Sequence, residues 1–246
     1  MNPQLQNWQN FCQHQAGNWH GFWTTYNSET EVTKSIQCIR SLQVKENGNK
    51  IEHQNHYKYQ DGKQETKTFG PYIKPKTRGL FLMQGFSWGS QKVESKTKFF
   101  FETGFRHQNR RASLGVVYNE DQELERITAI SEHQDSWTQI SVPALTAPEI
   151  GSGWQGPTRS ITPDYMVSES VTTDWNRLEM LATNNSTWHL NDGISVSFPQ
   201  HLESVAEFIL ATDWLVDSKT LYRGIRFFAR SGFTHFSLAV LKSNSQ

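Results

Sequence analysis

The stretch Gly17-Asn18-Trp19-His20-Gly21-Phe22-Trp23-Thr24-Thr25 decides how the chain is read. Before it, Leu5, Trp8, Phe11 and Cys12 recur at spacings of three and four, the period of a helix with one apolar stripe. Within it the period drops to two, so Trp19, Gly21, Trp23 and Thr25 share one face of an extended strand. A helix is therefore expected over Pro3–Ala16, ended by Gly17 where the chain commonly takes positive φ.

The two-residue period continues outward from that point. Ile36, Cys38, Arg40, Leu42 and Val44 form a second series, and Ile51, His53, Asn55, Tyr57 and Tyr59 a third. Glu46-Asn47-Gly48-Asn49, Asp61-Gly62 and Asn119-Glu120-Asp121 supply turns. Further strands are expected at 78–81, 85–88, 98–107, 111–118, 124–132 and 137–142, with no helix between them. Short turns between successive strands make an antiparallel meander, and closure into a barrel removes its edges.

Prolines and glycines then cluster from Pro143 to Pro157, which marks a boundary between a first domain over 1–147 and a smaller one over 148–246. Beyond it strands are expected at 153–161, 165–173, 176–182, 187–190, 193–198, 205–215, 221–229 and 233–241. Ser152-Gly153-Trp154-Gln155-Gly156 echoes Gly17-Asn18-Trp19-His20-Gly21, as though each half opened in the same way. The expectation is an all-β protein of two antiparallel up-and-down barrels with a short N-terminal helix.

Composition narrows the function. Lys+Arg and Asp+Glu are 24 each, so the chain lacks the net basic charge that phosphate-neutralising nucleic-acid binders carry. Aromatics reach 13%, which excludes a disordered chain and points to a core of large rings. No apolar run is long enough for a membrane helix. Met1–Gly17 shows no secretory pattern, and Cys12 and Cys38 read as free thiols, so a cytoplasmic setting is expected.

No GxSxG elbow or phosphate loop occurs. His53 and His56 fall on opposite faces of a strand, and no cysteine stands at zinc spacing, so neither a metal nor a cofactor is expected. Two basic groups remain. Arg106, Arg110 and Arg111 mark a hairpin, and Arg223, Arg226 and Arg230 mark the penultimate strand. They read either as a rim whose stems cover apolar surface or as a site for an anion or an acidic partner. Arg40 falls on the inward face of the first barrel, and Arg126 shares a face with Thr128 and Ile130. An inward Arg needs a carboxylate such as Glu102 or Glu132, a ring such as Trp19, or an anionic ligand.

Asn7-Trp8 with Phe11, the stretch Gly17–Trp23, His53–Tyr59, Phe101-Glu102 with Phe105-Arg106-His107, and Glu125-Arg126-Ile127 with Glu132 carry a resemblance. They resemble the lipocalin-like (calycin) family of uncharacterised cyanobacterial proteins related to the chloroplast ATP synthase biogenesis factor. The resemblance covers about the first 140 residues; the second half matches mainly in strand pattern and in Tyr222-Arg223 with Arg226. It implies a two-barrel, non-catalytic protein, and for the plastid relative an assembly role at the catalytic head of the ATP synthase.

Three functions follow as expectations. The first is a barrel that binds a small hydrophobic or amphipathic ligand, a lipid or pigment, with Trp23, Arg40, His53, Tyr57, Arg106, Arg126 and Glu132 as candidate contacts. The second is an interaction protein for ATP synthase subunits that uses Arg110, Arg111, Arg223, Arg226 and Arg230. The third is a barrel enzyme such as a chromophore lyase, with His53, Tyr57 and Glu132 as acid/base groups.

Overall fold

The computed structural model describes residues 2–137, 153–203 and 206–243. Helix α1 (Pro3–His14) starts where Asn2 accepts hydrogen bonds from the backbone of Gln4 and Leu5, with Pro3 in the first turn where its missing N–H is not needed. Nine strands follow: β1 (Gly17–Asn27), β2 (Val32–Lys45), β3 (Lys50–Lys58), β4 (Gln64–Ile73), β5 (Leu80–Phe81), β6 (Gly85–Gly89), β7 (Phe99–His107), β8 (Arg110–Tyr118) and β9 (Leu124–Gln134). Seven more complete the chain: β10 (Trp154–Ile161), β11 (Val171–Asp174), β12 (Ser186–His189), β13 (Ile194–Phe198), β14 (Phe208–Asp217), β15 (Thr220–Ala229) and β16 (Gly232–Ser243). The all-β expectation holds.

Both sheets are meanders whose first strand pairs with their last. The nine-stranded sheet runs β4-β3-β2-β1-β9-β8-β7-β6-β5, and the seven-stranded sheet runs β11-β10-β16-β15-β14-β13-β12. The first sheet curls into a barrel-like form that no ladder closes between β4 and β5, and the second is likewise open between β11 and β12.

The echo between the two openings has a shared physical basis. A Cβ on Gly21 would sit 2.1 Å from the Ser131 carbonyl oxygen, and one on Gly156 would sit 1.9 Å from that of Val240. Glycine thus lets β1 approach β9 and β10 approach β16. Trp19 and Trp154, beside these glycines, are both buried.

The largest apolar core lies between the sheets and not inside the barrel. Outward residues of β7–β9, among them Phe99, Phe105, Leu114 and Ile127, pack against Phe198, Trp214, Tyr222 and Phe236 of the second sheet. Arg226 is fully buried at this junction and donates to Ser87 Oγ (2.8 Å) and the Ser90 carbonyl (2.9 Å). The Tyr118 hydroxyl donates to the Pro199 carbonyl from the other side.

Several expected elements differ. Strand β4 was not expected, because its residues are polar and Gly70-Pro71 interrupts them, and it lies exposed at the seam. The segment 176–182 holds a single 3-10 turn, Leu178–Met180, instead of a strand. Of 165–173 only the end, within β11, is strand. Most of the expected strand at 137–142 and the expected boundary at 147/148 lie outside the described residues.

Helix α1 substitutes for a strand at the seam. The Asn7 side chain donates to the Gly79 carbonyl (2.9 Å) and accepts from the Phe81 N–H (2.6 Å), while Asn10 donates to the Phe81 carbonyl (2.8 Å). These bonds satisfy the open edge of β5. Trp8 and Phe11 pack beneath them on Leu42, Ile51, Phe81 and Phe86. Asn7→Ala, which strands a buried N–H and a buried C=O, is expected to lower unfolding free energy by about 2–4 kcal/mol, read by chemical denaturation.

Candidate functional site

The inward face of the first barrel carries charge. Strand parity places Arg40 on β2, Glu102 on β7, Arg111 on β8 and Glu132 on β9 in one interior. Arg40 Nη1 lies 3.2 Å from Glu102 Oε1, and its Nε lies 3.3 Å from Glu132 Oε1. Arg111 Nε stands 3.5 Å from Glu132 Oε2. Trp88 Nε1 (2.7 Å) and Ser113 Oγ (2.9 Å) donate to Glu102, and Trp23 Nε1 (3.3 Å) donates to Glu132. The Arg40 guanidinium lies 4.7 Å from the centre of Trp23, and that of Arg111 lies between Trp19 and Phe86.

The four formal charges, two of each sign, sum to zero. Burial alone would raise the Glu102 pKa, but Arg40 and Arg111 outweigh it and hold the carboxyl at about 2. Burial opposes the charge of Arg40, yet Glu132 and Glu102 raise its pKa above the usual value. Arg111 is lowered to about 10 by burial and by Arg40.

A chain of polar groups runs along β3 beside this network. His53 Nε2 donates to the Asn55 amide oxygen (2.9 Å), and the Asn55 amide donates to the Tyr57 hydroxyl (2.8 Å). His53 Nδ1, left as an acceptor, takes the Tyr72 hydroxyl proton at 3.0 Å. Burial and the nearby Arg40 push the His53 pKa down to about 4, so the ring is neutral.

Two chambers meet at this polar waist. The larger, about 810 Å³, lies under α1 and opens at the seam, with Phe11, Tyr72, Phe81 and Phe86 on its walls and Lys76 and Arg78 at its rim. Tyr165 of the second half also lines it, and its hydroxyl donates to the Thr77 carbonyl. The smaller, about 420 Å³, lies at the other end, between Trp23, Tyr57, Phe100 and Ile130. Both touch Arg40, His53, Tyr72, Trp88 and Glu102.

The structure sorts the candidates read from sequence. Trp23, Arg40, His53, Tyr57 and Glu132 do come together in the interior. Arg126 lines the smaller chamber at its exposed end, with Thr128 and Ile130, and pairs with Glu125. Arg106 lies elsewhere: it donates to the His14 carbonyl (2.8 Å) and to Gln134, and so holds the end of α1. Arg111 is a buried member of the network and not a surface contact. Arg223 is likewise buried, in a two-point bond to Asp213 at 2.6 Å, and Arg226 is the pin between the sheets. Their expected role as partner contacts fails on burial. Arg110 is half-buried over Trp214 and donates to the Val216 carbonyl, which leaves Arg230 as the exposed one of that set. Lys76, Arg78, Tyr72 and Trp88 were not expected at the site: Arg78 and Trp88 stand at the ends of the expected strands 78–81 and 85–88, and Tyr72 and Lys76 lie outside every expected strand.

Among the described residues no three His, Cys, Asp or Glu converge to hold a metal ion, and no helix is long and apolar enough to cross a membrane.

Glu132→Gln leaves Arg40 and Arg111 sharing one carboxylate in a buried network. It is expected to destabilise the fold by about 3–5 kcal/mol in denaturant titration. The pH dependence follows from His53. Its folded pKa lies below that of the unfolded chain, so between about pH 6.5 and 4 the unfolded state binds more protons, and stability falls as pH falls. His53→Gln is expected to remove up to about 3 kcal/mol of that slope, read from denaturation midpoints between pH 7 and 4.

Comparison with known proteins agrees with this architecture. Residues 4–137 match a domain of unknown function (DUF3598), N-terminal. A solved protein with unknown function from the DUF3598 family of Nostoc punctiforme PCC 73102 superposes with a TM-score of 0.75 at 17% identity, covering 96% of this chain and 98% of that one. A protein of Bacteroides fragilis NCTC 9343 described as a "putative outer membrane protein" covers 99% of this chain and 100% of its own at 10% identity, with a TM-score of 0.27 that carries no argument. No curated protein matches the chain. Since the matched segment spans more than half of the chain and runs through α1, the seam and the whole charged barrel, the chain belongs to the DUF3598 family.

Proposed function

We propose that the first barrel is a non-catalytic binding site for one small amphipathic molecule, held in the larger chamber. The observation that carries this reading is the chamber itself: about 810 Å³ of space, open at the seam, in a barrel whose aromatic core lies on its outside. That volume is typical of ligand pockets, which range over roughly 300–1,000 Å³. Rings and aliphatic groups line most of it, and Lys76 and Arg78 stand exposed at the rim with no carboxylate in ion-pair range among the described residues. An apolar body inside and an acidic end at the rim fit this division. The interior arginines are already neutralised by Glu102 and Glu132, so the acidic end belongs outside.

Occupied hydrogen bonds support a non-catalytic role. Both His53 nitrogens are engaged, the Tyr57 hydroxyl is tied to Asn55, and Glu132 accepts from Trp23 and stands in ion-pair range of two arginines. The resemblance to assembly factors of the ATP synthase offers a second reading, but Arg111, Arg223 and Arg226 are spent inside the fold, and little of the arginine surface it needs remains.

Calorimetric titration with dodecanoate and with uncharged dodecanol tests the proposal. Both are expected to bind. Lys76→Glu with Arg78→Glu is expected to weaken dodecanoate about tenfold and to leave dodecanol unchanged. Absence of binding by either compound to the unaltered protein refutes the reading.

A further inference from the structure

We propose that the smaller chamber, at the far end of the barrel, is a separate site that takes a flat aromatic anion. It goes beyond the larger chamber and does not depend on what that chamber holds.

The first observation is Gly115. It sits in the middle of β8, opposite Glu102 on one side and Thr128 on the other, and it lines this chamber. Its backbone is that of an ordinary strand, and a Cβ built on it meets nothing within 4 Å. Neither φ nor close packing calls for glycine here, unlike at Gly21 or Gly156. What its missing side chain leaves is a flat floor of bare backbone where a guest can lie close, a recurrent use of glycine within strands.

The second observation is the walls. Trp23 and Tyr57 meet edge to face at 5.5 Å, and Phe100 stands with Trp88 at 5.3 Å. Ring faces and edges arranged about a flat floor favour a planar guest over a flexible chain. Thr25 and Thr128 hydroxyls, 3.2 Å apart, lie between these walls and the open end.

The third is the charge at the open end. Lys34, Lys67 and Arg126 line it, and among the lining residues Glu102, already held by Arg40, is the sole acid. Lys67 and Arg126 have Glu65 and Glu125 as partners. Lys34 has none among the described residues; its ammonium lies 4.6 Å from the centre of the Tyr59 ring. A sulfonate or carboxylate on the guest's ring completes that cation.

Fluorescence titration with 8-anilinonaphthalene-1-sulfonate, and with uncharged N-phenyl-1-naphthylamine, tests this. The sulfonate is expected to bind saturably. Gly115→Leu, which fills the floor, is expected to weaken both probes about tenfold or more and to leave dodecanoate binding unchanged. Lys34→Glu, an exposed change, is expected to weaken the sulfonate severalfold and spare the uncharged probe. Equal sulfonate affinity in the unaltered protein and Gly115→Leu overturns the proposal, as does competition between sulfonate and dodecanoate for one site. If Gly115→Leu lacks the circular dichroism of the folded protein, the Lys34→Glu comparison decides alone, and equal loss of both probes refutes the assignment. A Gly115-dependent sulfonate site without dodecanoate binding refutes the larger chamber's assignment and leaves this one standing.

Discussion

Two arginines and two glutamates share a desolvated space in the first barrel, and most of the architecture follows from accommodating them. Removing an ion from water costs several kcal/mol unless partners surround it. Arg40 meets this demand with two carboxylates and a tryptophan face, and Glu102 meets it with an arginine, an indole and a serine. Around the charges the interior holds smaller apolar clusters, Trp8, Phe11, Leu42, Ile51, Phe81 and Phe86 under α1 and Ile36, Cys38 and Tyr57 towards the other end. The largest cluster lies on the outer face of β7–β9, where it needs a cover. The second sheet is that cover.

The residues differ in how openly they declared these roles. Arg40 was legible because it interrupts an inward apolar series, and an inward arginine must find a carboxylate; Glu102 and Glu132 proved to be the two that it finds. The ring expected over an arginine was also nearby, though Trp23 takes Arg40 while Trp19 takes Arg106 and Arg111. Arg223 and Arg226 were misread because both faces of β15 are buried, a condition set by elements far apart in the chain. Alternation along one strand carries no sign of what will cover its second face. β4 escaped notice for the opposite reason: an exposed edge strand needs no apolar alternation, and its proline is tolerated because no neighbour requires that N–H.

Two arginines read from the sequence as candidate contacts, Arg106 for a ligand and Arg226 for a partner, turn out to connect parts. Arg106 binds the carbonyls at the end of α1, where the helix dipole is negative, and Arg226 spans the two sheets through Ser87 and Ser90. Arg226 does this without a carboxylate, and burial lowers its pKa to about 9. Phe233, 4.2 Å from its guanidinium carbon, supplies a ring face in place of an anion.

First-to-last pairing in each sheet also shapes the response of the molecule to force. β1 carries a ladder on each side, to β2 and to β9, so drawing the chain out from Gly17 shears two sets of backbone bonds together. Between β4 and β5 no ladder exists, and β5 is held on that side by side chains of α1, the amides of Asn7 and Asn10. The barrel is thus stiff along its length at β1 and compliant around its girth at one line, like a hoop that has been cut once.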